Sequence, residues 1–242
     1  MDSKALRVLA IADKIVSKII FLFFVALFIA SSYAVYDSIR VHDDAHSADD
    51  VANSLGGYTP HDRISHLRAM NPEVIGWIAL DDTKIDHPIL QTGNNSYYLT
   101  HDYKKDYSLG GSIFIDYRNS MSDDYFVYYG HNIDNGSMLG RINEYSDKDF
   151  FDNHLAGTLY YEDGSEHSFT VIAFAYKNEQ DNTVYDVSNL ATGHNNEIYS
   201  TVTNTATRIN SSANSTYKKL VLLSTCTEAN GERAVLLLGY DE

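Results

Sequence analysis

The stretch LVLLSTCTEANGERAVLLLGY, residues 220–240, reads as two strands and the turn between them. Leu220, Val221, Leu222 and Leu223 form an apolar run that breaks into Ser224, Thr225 and Cys226. The polar segment 227–232 follows, with Asn230-Gly231 inside it, and Arg233 then opens a second apolar run, AVLLLGY. Short apolar runs bounded by turn residues read as buried strands. If the two pair as a hairpin, the end of one lies beside the start of the other, and Cys226 and Arg233 become neighbours at a sheet rim. A guanidinium near a thiol favours the nucleophilic thiolate and offers N–H donors to an oxyanion. The same residues also read blandly, as a small buried hydrophobe and an ordinary surface charge. This stretch alone leaves both readings open.

Working outward, YFVYYGH (125–131) is an aromatic strand pattern that stops at Gly130, with His131 opening the loop HNIDNGSM. Binding residues often sit just past a strand end; a structural or solvated histidine fits equally. Further strand patterns fall at 74–80, 85–90, 112–116, 158–162 and 167–176, with EDGS (162–165) as a hairpin turn between the last two. With 220–224 and 234–240 this makes about eight strands, and so few helices that a closed barrel or sandwich is expected, not a parallel α/β sheet. Helical spacing predicts helices over 60–70, ended by Pro72, over 147–154, and over 195–209, where Ile198, Val202, Ala206 and Ile209 recur.

Composition narrows the function classes. The chain has 242 residues, of which 44% are hydrophobic and 19 are Tyr, so it can bury a core and favours pleated surfaces. Its formal charge of −15 argues against a nucleic-acid partner, since phosphate binding needs a basic face. The acidity reads either as solubility or as attraction for cationic groups such as acceptor amines. Cys226 is the single cysteine, which rules out an intrachain disulfide and metal sites built on paired thiolates. A lone thiol in an exported protein is either buried and inert or there to react.

Export itself is read from the N-terminus. Residues 19–36, IIFLFFVALFIASSYAVY, carry no charge, and eighteen residues or so span roughly 27 Å, close to a bilayer's hydrocarbon thickness. Lys4, Arg7, Lys14 and Lys18 precede this run; Asp37, Asp43, Asp44, Asp49 and Asp50 follow it. The positive-inside rule then leaves 1–18 in the cytoplasm, 19–36 as a transmembrane anchor, 37–58 as a linker or stalk, and 59–242 as an extracytoplasmic domain. A cleaved signal peptide is the competing reading, although its apolar core is normally only about 7–15 residues.

Taken in order, several segments together resemble sortases, and in particular the class B sortases of Gram-positive bacteria. LLSTC (222–226) with Arg233 downstream and YGHN (129–132) upstream carry the resemblance. NPEVIGWIAL (71–80), IDHPIL (85–90), NNSYYLTHD (94–102) and GGSIFIDYRN (110–119) lie around them. The match runs through most of 60–240. Leu222 stands where the family's TLxTC pattern has Thr, and the 226–233 loop is shorter than in some relatives.

The resemblance implies an eight-stranded sortase-type β-barrel with an N-terminal helix and a helix in the long insert before the seventh strand. It implies Cys226 as nucleophile towards the Thr carbonyl of a C-terminal sorting signal, His131 as general acid and then base, and Arg233 as oxyanion and substrate holder. By positional match, Asn95, Leu99, Tyr129, Thr183, Val184, Ser224 and Thr225 would line the groove, with Glu228 a possible accessory. No cofactor or metal is implied. The expected partners are a sorting-signal peptide, an amine of a peptidoglycan precursor or of a pilin, and the membrane through the N-terminal helix. A papain-like protease fits less well, because that family places its Cys before its His in the chain. A membrane-tethered binding barrel without chemistry is the reading from another class.

Overall fold

The computed structural model describes residues 3–133, 136–187, 194–226 and 231–241, with the backbone alone for 3–10, 41–53 and 226. The chain divides into two units, 1–41 and 42–242. Residues 3–41 of the first belong to helix α1, Ser3–Ser54. Residues 11–40 of it are long and apolar enough to cross a membrane, as a signal sequence also is. Its apolar side chains, Phe21 and Phe28 among them, are exposed around the whole helix. A helix that is apolar on every side suits lipid better than water.

In the second unit the end of α1 is followed by α2, Pro60–Met70. Thr59 caps it reciprocally with Asp62: the Thr59 hydroxyl accepts from the Asp62 amide, and the Asp62 carboxylate accepts from the Thr59 amide. Pro60 occupies the first turn, where its missing N–H costs nothing. Ile64 and Leu67 bury against Trp77, Leu90, Tyr98 and Phe114, which fastens the helix to the sheet.

Eight strands close a mixed barrel, and a ninth, the two-residue β7 Arg208–Ile209, flanks it. The eight are β1 Val74–Leu80, β2 Asp86–Leu90, β3 Ile113–Ile115, β4 Tyr125–Gly130, β5 Ala156–Tyr161, β6 Glu166–Asn178, β8 Lys219–Cys226 and β9 Glu232–Tyr240. Their order is β5-β1-β2-β3-β4-β8-β9-β6, and β6 returns to β5 to complete the ring. The pairs β2–β3 and β4–β8 are parallel and the others antiparallel. All eight strands lie where the residue pattern predicts them. Closure removes the open edges that would otherwise need protecting. The short helix expected at 147–154 appears ahead of β5 as α3, Lys148–Asn153.

Strand β8 explains why its sequence shows no alternation. Leu220 and Leu222 pack outward with Val127, Val235 and Leu237 beneath α4 (Asn182–Tyr185) and α5 (Asn195–Thr203), where Val184, Ile198 and Val202 cover them. Val221 and Leu223, on the opposite face, are also fully buried. A central strand covered on both faces needs apolar residues at every position, each contributing about 1.5–3 kcal/mol of burial.

The segment 195–209 departs from the single helix its spacing predicts. Helix α5 ends at Thr203, and β7 forms beside Ala173 and Phe174 of β6. Thr203 and Thr205 turn their hydroxyls back onto the carbonyls of Tyr199 and Thr201, a local competitor to continued helix. Ile209 is half-exposed, so its place in the helical spacing was fortuitous.

Candidate active site

Parallel pairing of β4 with β8 sets Tyr129 opposite Ser224 and Gly130 opposite Thr225. Both strands therefore finish at the same rim, with His131 and Cys226 one residue further along each. The antiparallel β8–β9 pair sets Cys226 opposite Arg233, the register expected from the hairpin reading. Three adjacent strand ends thus bring the positions of a thiol, an imidazole and a guanidinium together. Glu228 lies outside the described residues.

A cleft of about 190 Å³ opens at this rim, lined by Asn95, Leu99, Phe114, Tyr129, Gly130, His131 and Arg233. The Leu99 carbonyl is 2.6 Å from Nε2 of His131. A carbonyl oxygen can only accept, so Nε2 carries a hydrogen, and in the neutral ring the lone pair sits on Nδ1. The turn bearing Leu99, Tyr97–Leu99, is itself pinned. Its buried Tyr98 hydroxyl donates to Glu73 and accepts from Asn71, whose amide also donates to the Tyr103 carbonyl. Burial, then the Glu73 hydrogen bond, pushes the Tyr98 phenol well above its usual range, so it stays a donor. Gly111 completes the approach with φ +58°: a Cβ there would lie 2.6 Å from the Tyr98 carbonyl, 2.8 Å from that of Leu99 and 3.0 Å from the His131 ring. Only glycine fits that space in that conformation.

Arg233 keeps a quarter of its side chain exposed and reaches within 3.4 Å of the Glu179 carboxylate. Glu179 follows β6, and its amide donates to the Gly231 carbonyl, so the two loops meet beside the guanidinium. An ion pair this exposed contributes about 1 kcal/mol at most.

Behind the cleft lies a fully buried carboxylate, Asp116. Its Oδ1 accepts from the amide and Nε of Arg118, each at 2.9 Å. Its Oδ2 accepts from Arg118 Nη2 at 2.8 Å, Asn95 Nδ2 at 2.8 Å and the Tyr129 hydroxyl at 3.1 Å. Burial alone would raise this carboxyl, but the Arg118 fork and the Asn95 amide outweigh it and hold it below its usual 3.8. Burial, then the Asp116 charge, drives the Tyr129 phenol well upward. Arg118 also donates to the Tyr185 carbonyl at 2.7 Å. The Tyr185 hydroxyl is 3.0 Å from that of Ser224, and its ring stacks on Tyr129 with centroids 6.4 Å apart.

Of the groove residues expected from the sequence, Asn95, Leu99 and Tyr129 do line the cleft. Val184 instead turns its side chain from α4 into the core, and its carbonyl accepts from the Tyr125 hydroxyl. Ser224 and Thr225 are likewise fully buried, so in this conformation none of the three offers surface to a ligand. Strand β8 is covered on both faces up to Thr225, and burial there follows from the barrel. Thr183 is exposed on α4 and is not among the described residues that line the cleft. Phe114, Asp116, Arg118, Glu179 and Tyr185 were not singled out by sequence reasoning. Asp116-Tyr117-Arg118 directly after an apolar strand was the one available signal. Among the described residues, no group of three or more His, Cys, Asp or Glu could hold a metal ion.

No protein-family model matches the chain. Over 127 residues it is 40% identical to sortase B of Listeria monocytogenes, a match that spans about half of each protein (50% and 50%). It is 29% identical over 171 residues to sortase B of Staphylococcus aureus, covering 69% of this chain and 68% of that one. The fold superimposes on a mutant form of Clostridium perfringens sortase B with TM-score 0.68 and 25% identity, over 81% of this chain and 97% of the other. Likeness in sequence and in fold thus converges on one group: the chain is similar to sortase B in sequence over 50% to 69% of its length and in fold over 81% of it.

Proposed function

We propose that the chain is a membrane-anchored transpeptidase that cleaves a C-terminal sorting signal after Thr and joins the acyl group to a cell-wall amine. The observation that carries this reading is the shared rim of β4, β8 and β9, with Cys226 opposite Arg233 and His131 at the neighbouring strand end. In the first half-reaction the Cys226 thiolate adds to the Thr carbonyl carbon, and the oxyanion forms beside the Arg233 guanidinium. The peptide C–N bond then breaks as His131 gives its proton to the departing amine, leaving a thioester. In the second half-reaction the acceptor amine adds to the thioester and His131 takes its proton. The C–S bond breaks, the thiolate returns, and a new amide remains. Nε2 of His131 is held by Leu99, so Nδ1 is the nitrogen that exchanges the proton.

Full-length protein in detergent, given a panel of sorting peptides and amine acceptors, is expected to yield one peptide cut after Thr and joined to the amine, detected by mass spectrometry. A peptidoglycan stem amine accepted in preference to a pilin lysine supports wall anchoring, and the reverse order makes the enzyme a pilin polymerase. Cleavage of no peptide, or hydrolysis without transfer, refutes the proposal.

The anchor reading adds a topology. Residues 19–36 cross the membrane with Lys4, Arg7, Lys14 and Lys18 inside, so the domain from residue 59 onward works outside the cell. Protease added to protoplasts should remove the domain and leave a small membrane-bound stub. Full-length protein surviving that treatment rules out this orientation, and a mature chain lacking its N-terminus means a cleaved signal instead.

A further inference from the structure

Asn95 and Tyr129 form one wall of the cleft, and both are held by a carboxylate that touches no solvent. The Asn95 carboxamide is held at both ends: Nδ2 donates to Asp116 at 2.8 Å, and Oδ1 accepts from the Tyr117 amide at 2.9 Å. A carboxylate only accepts and an amide N–H only donates, so the orientation of that side chain is unambiguous. One Nδ2 hydrogen remains uncommitted by these two bonds, a fixed donor for a peptide carbonyl. Tyr129 is fixed in the same way through its hydroxyl, and its ring is clamped between Phe114, 5.5 Å away, and Tyr185. Arg118 ties the whole group to the C-terminal end of α4 through the Tyr185 carbonyl.

We propose that Asp116 is a positioning residue for substrate recognition: gripped by Arg118, it fixes the Asn95 carboxamide and the Tyr129 ring as the wall against which the substrate peptide lies. This rests on the transpeptidase reading and extends it to a residue that never meets the substrate. Five donors converge on one carboxylate, more than is needed to neutralise Arg118, and two of them belong to the cleft. Asp116 therefore acts on binding of the peptide, while the reacting end of the cleft, at His131 and Arg233, is held by Leu99 and Glu179 instead.

Asp116→Asn keeps the shape but replaces one acceptor oxygen by a donor facing donors. The KM for the best sorting peptide is expected to rise about tenfold, the scale of charge-assisted hydrogen bonds lost from a pre-organised wall, with kcat within about threefold. Alkylation of Cys226 by a small reagent without peptide should stay within about twofold of the parent, because the reacting end is unaltered. Arg118→Lys keeps the charge but cannot hold Asp116 and the Tyr185 carbonyl together, so its KM should fall between the two. A KM for Asp116→Asn within about twofold of the parent overturns the positioning role, as does a fall in kcat that alkylation follows. If circular dichroism shows that Asp116→Asn has lost its fold, Tyr129→Phe decides. Removing that one hydroxyl should raise KM about threefold, and an unchanged KM overturns the proposal. A parent protein that turns over no peptide refutes the transpeptidase reading instead, so the two failures are distinct.

Discussion

Cys226→Ala should abolish peptide transfer, lowering turnover by roughly 10⁴-fold or more, the scale of removing the nucleophile from a covalent mechanism. The chain holds no second cysteine that could substitute. The loss should be selective: the barrel's circular dichroism should persist, while the thioester adduct seen by mass spectrometry in the parent disappears. A methanethiosulfonate reagent should modify the native parent once and inactivate it, and excess sorting peptide should slow that reaction by filling the cleft. Residual transfer above about a hundredth of the parent rate would mean that another group carries the acyl chain. A thiol that reacts only in denaturant would mean that Cys226 is core.

His131→Ala should cost about 10²–10⁴-fold in kcat/KM, the usual worth of a positioned general acid–base group. Because one imidazole serves both the departing and the incoming amine, neither half-reaction should escape. The two roles separate with an ester analogue of the sorting signal. Its alcohol leaves without prior protonation, so thioester formation by His131→Ala should recover most of the lost rate, while transfer to the acceptor amine stays slow. Equal losses on ester and amide substrates would show that His131 positions groups and moves no proton to the leaving amine.

The contrast between these residues and their surroundings shows where sequence reading was strong. Strands β8 and β9 announce themselves through apolar runs and turn residues close together in the chain, and their hairpin register sets Cys226 opposite Arg233. The helix over 60–70, the apolar run at 19–36 inside the helix of residues 11–40, and the turn after β5 are equally local. In each case the deciding interaction lies within a few residues, or between strands joined by a short turn, and the pattern is written directly in the order of side chains.

The structure overruled the pattern where the deciding partner is remote. Ile209 keeps helical spacing from Ala206, yet β6 claims it as a strand because the edge beyond β5 is vacant there. Val184 is expected in the groove by positional match with the sortase pattern, yet the apolar layer over β4, β8 and β9 holds its side chain in the core. Asp116 looks like any polar residue after a strand, and only barrel closure surrounds it with Arg118, Asn95 and Tyr129.

By itself, the sequence determined the strands, the hairpin that faces Cys226 with Arg233, the apolar N-terminal helix and the likeness to sortases. Only the tertiary structure decided that β4 runs parallel beside β8, which brings His131 to the same rim, and that a buried Asp116 holds the cleft wall. Local periodicity records which face of a strand is apolar, but a parallel pair joined through a long crossover is selected by burial and closure of the whole barrel.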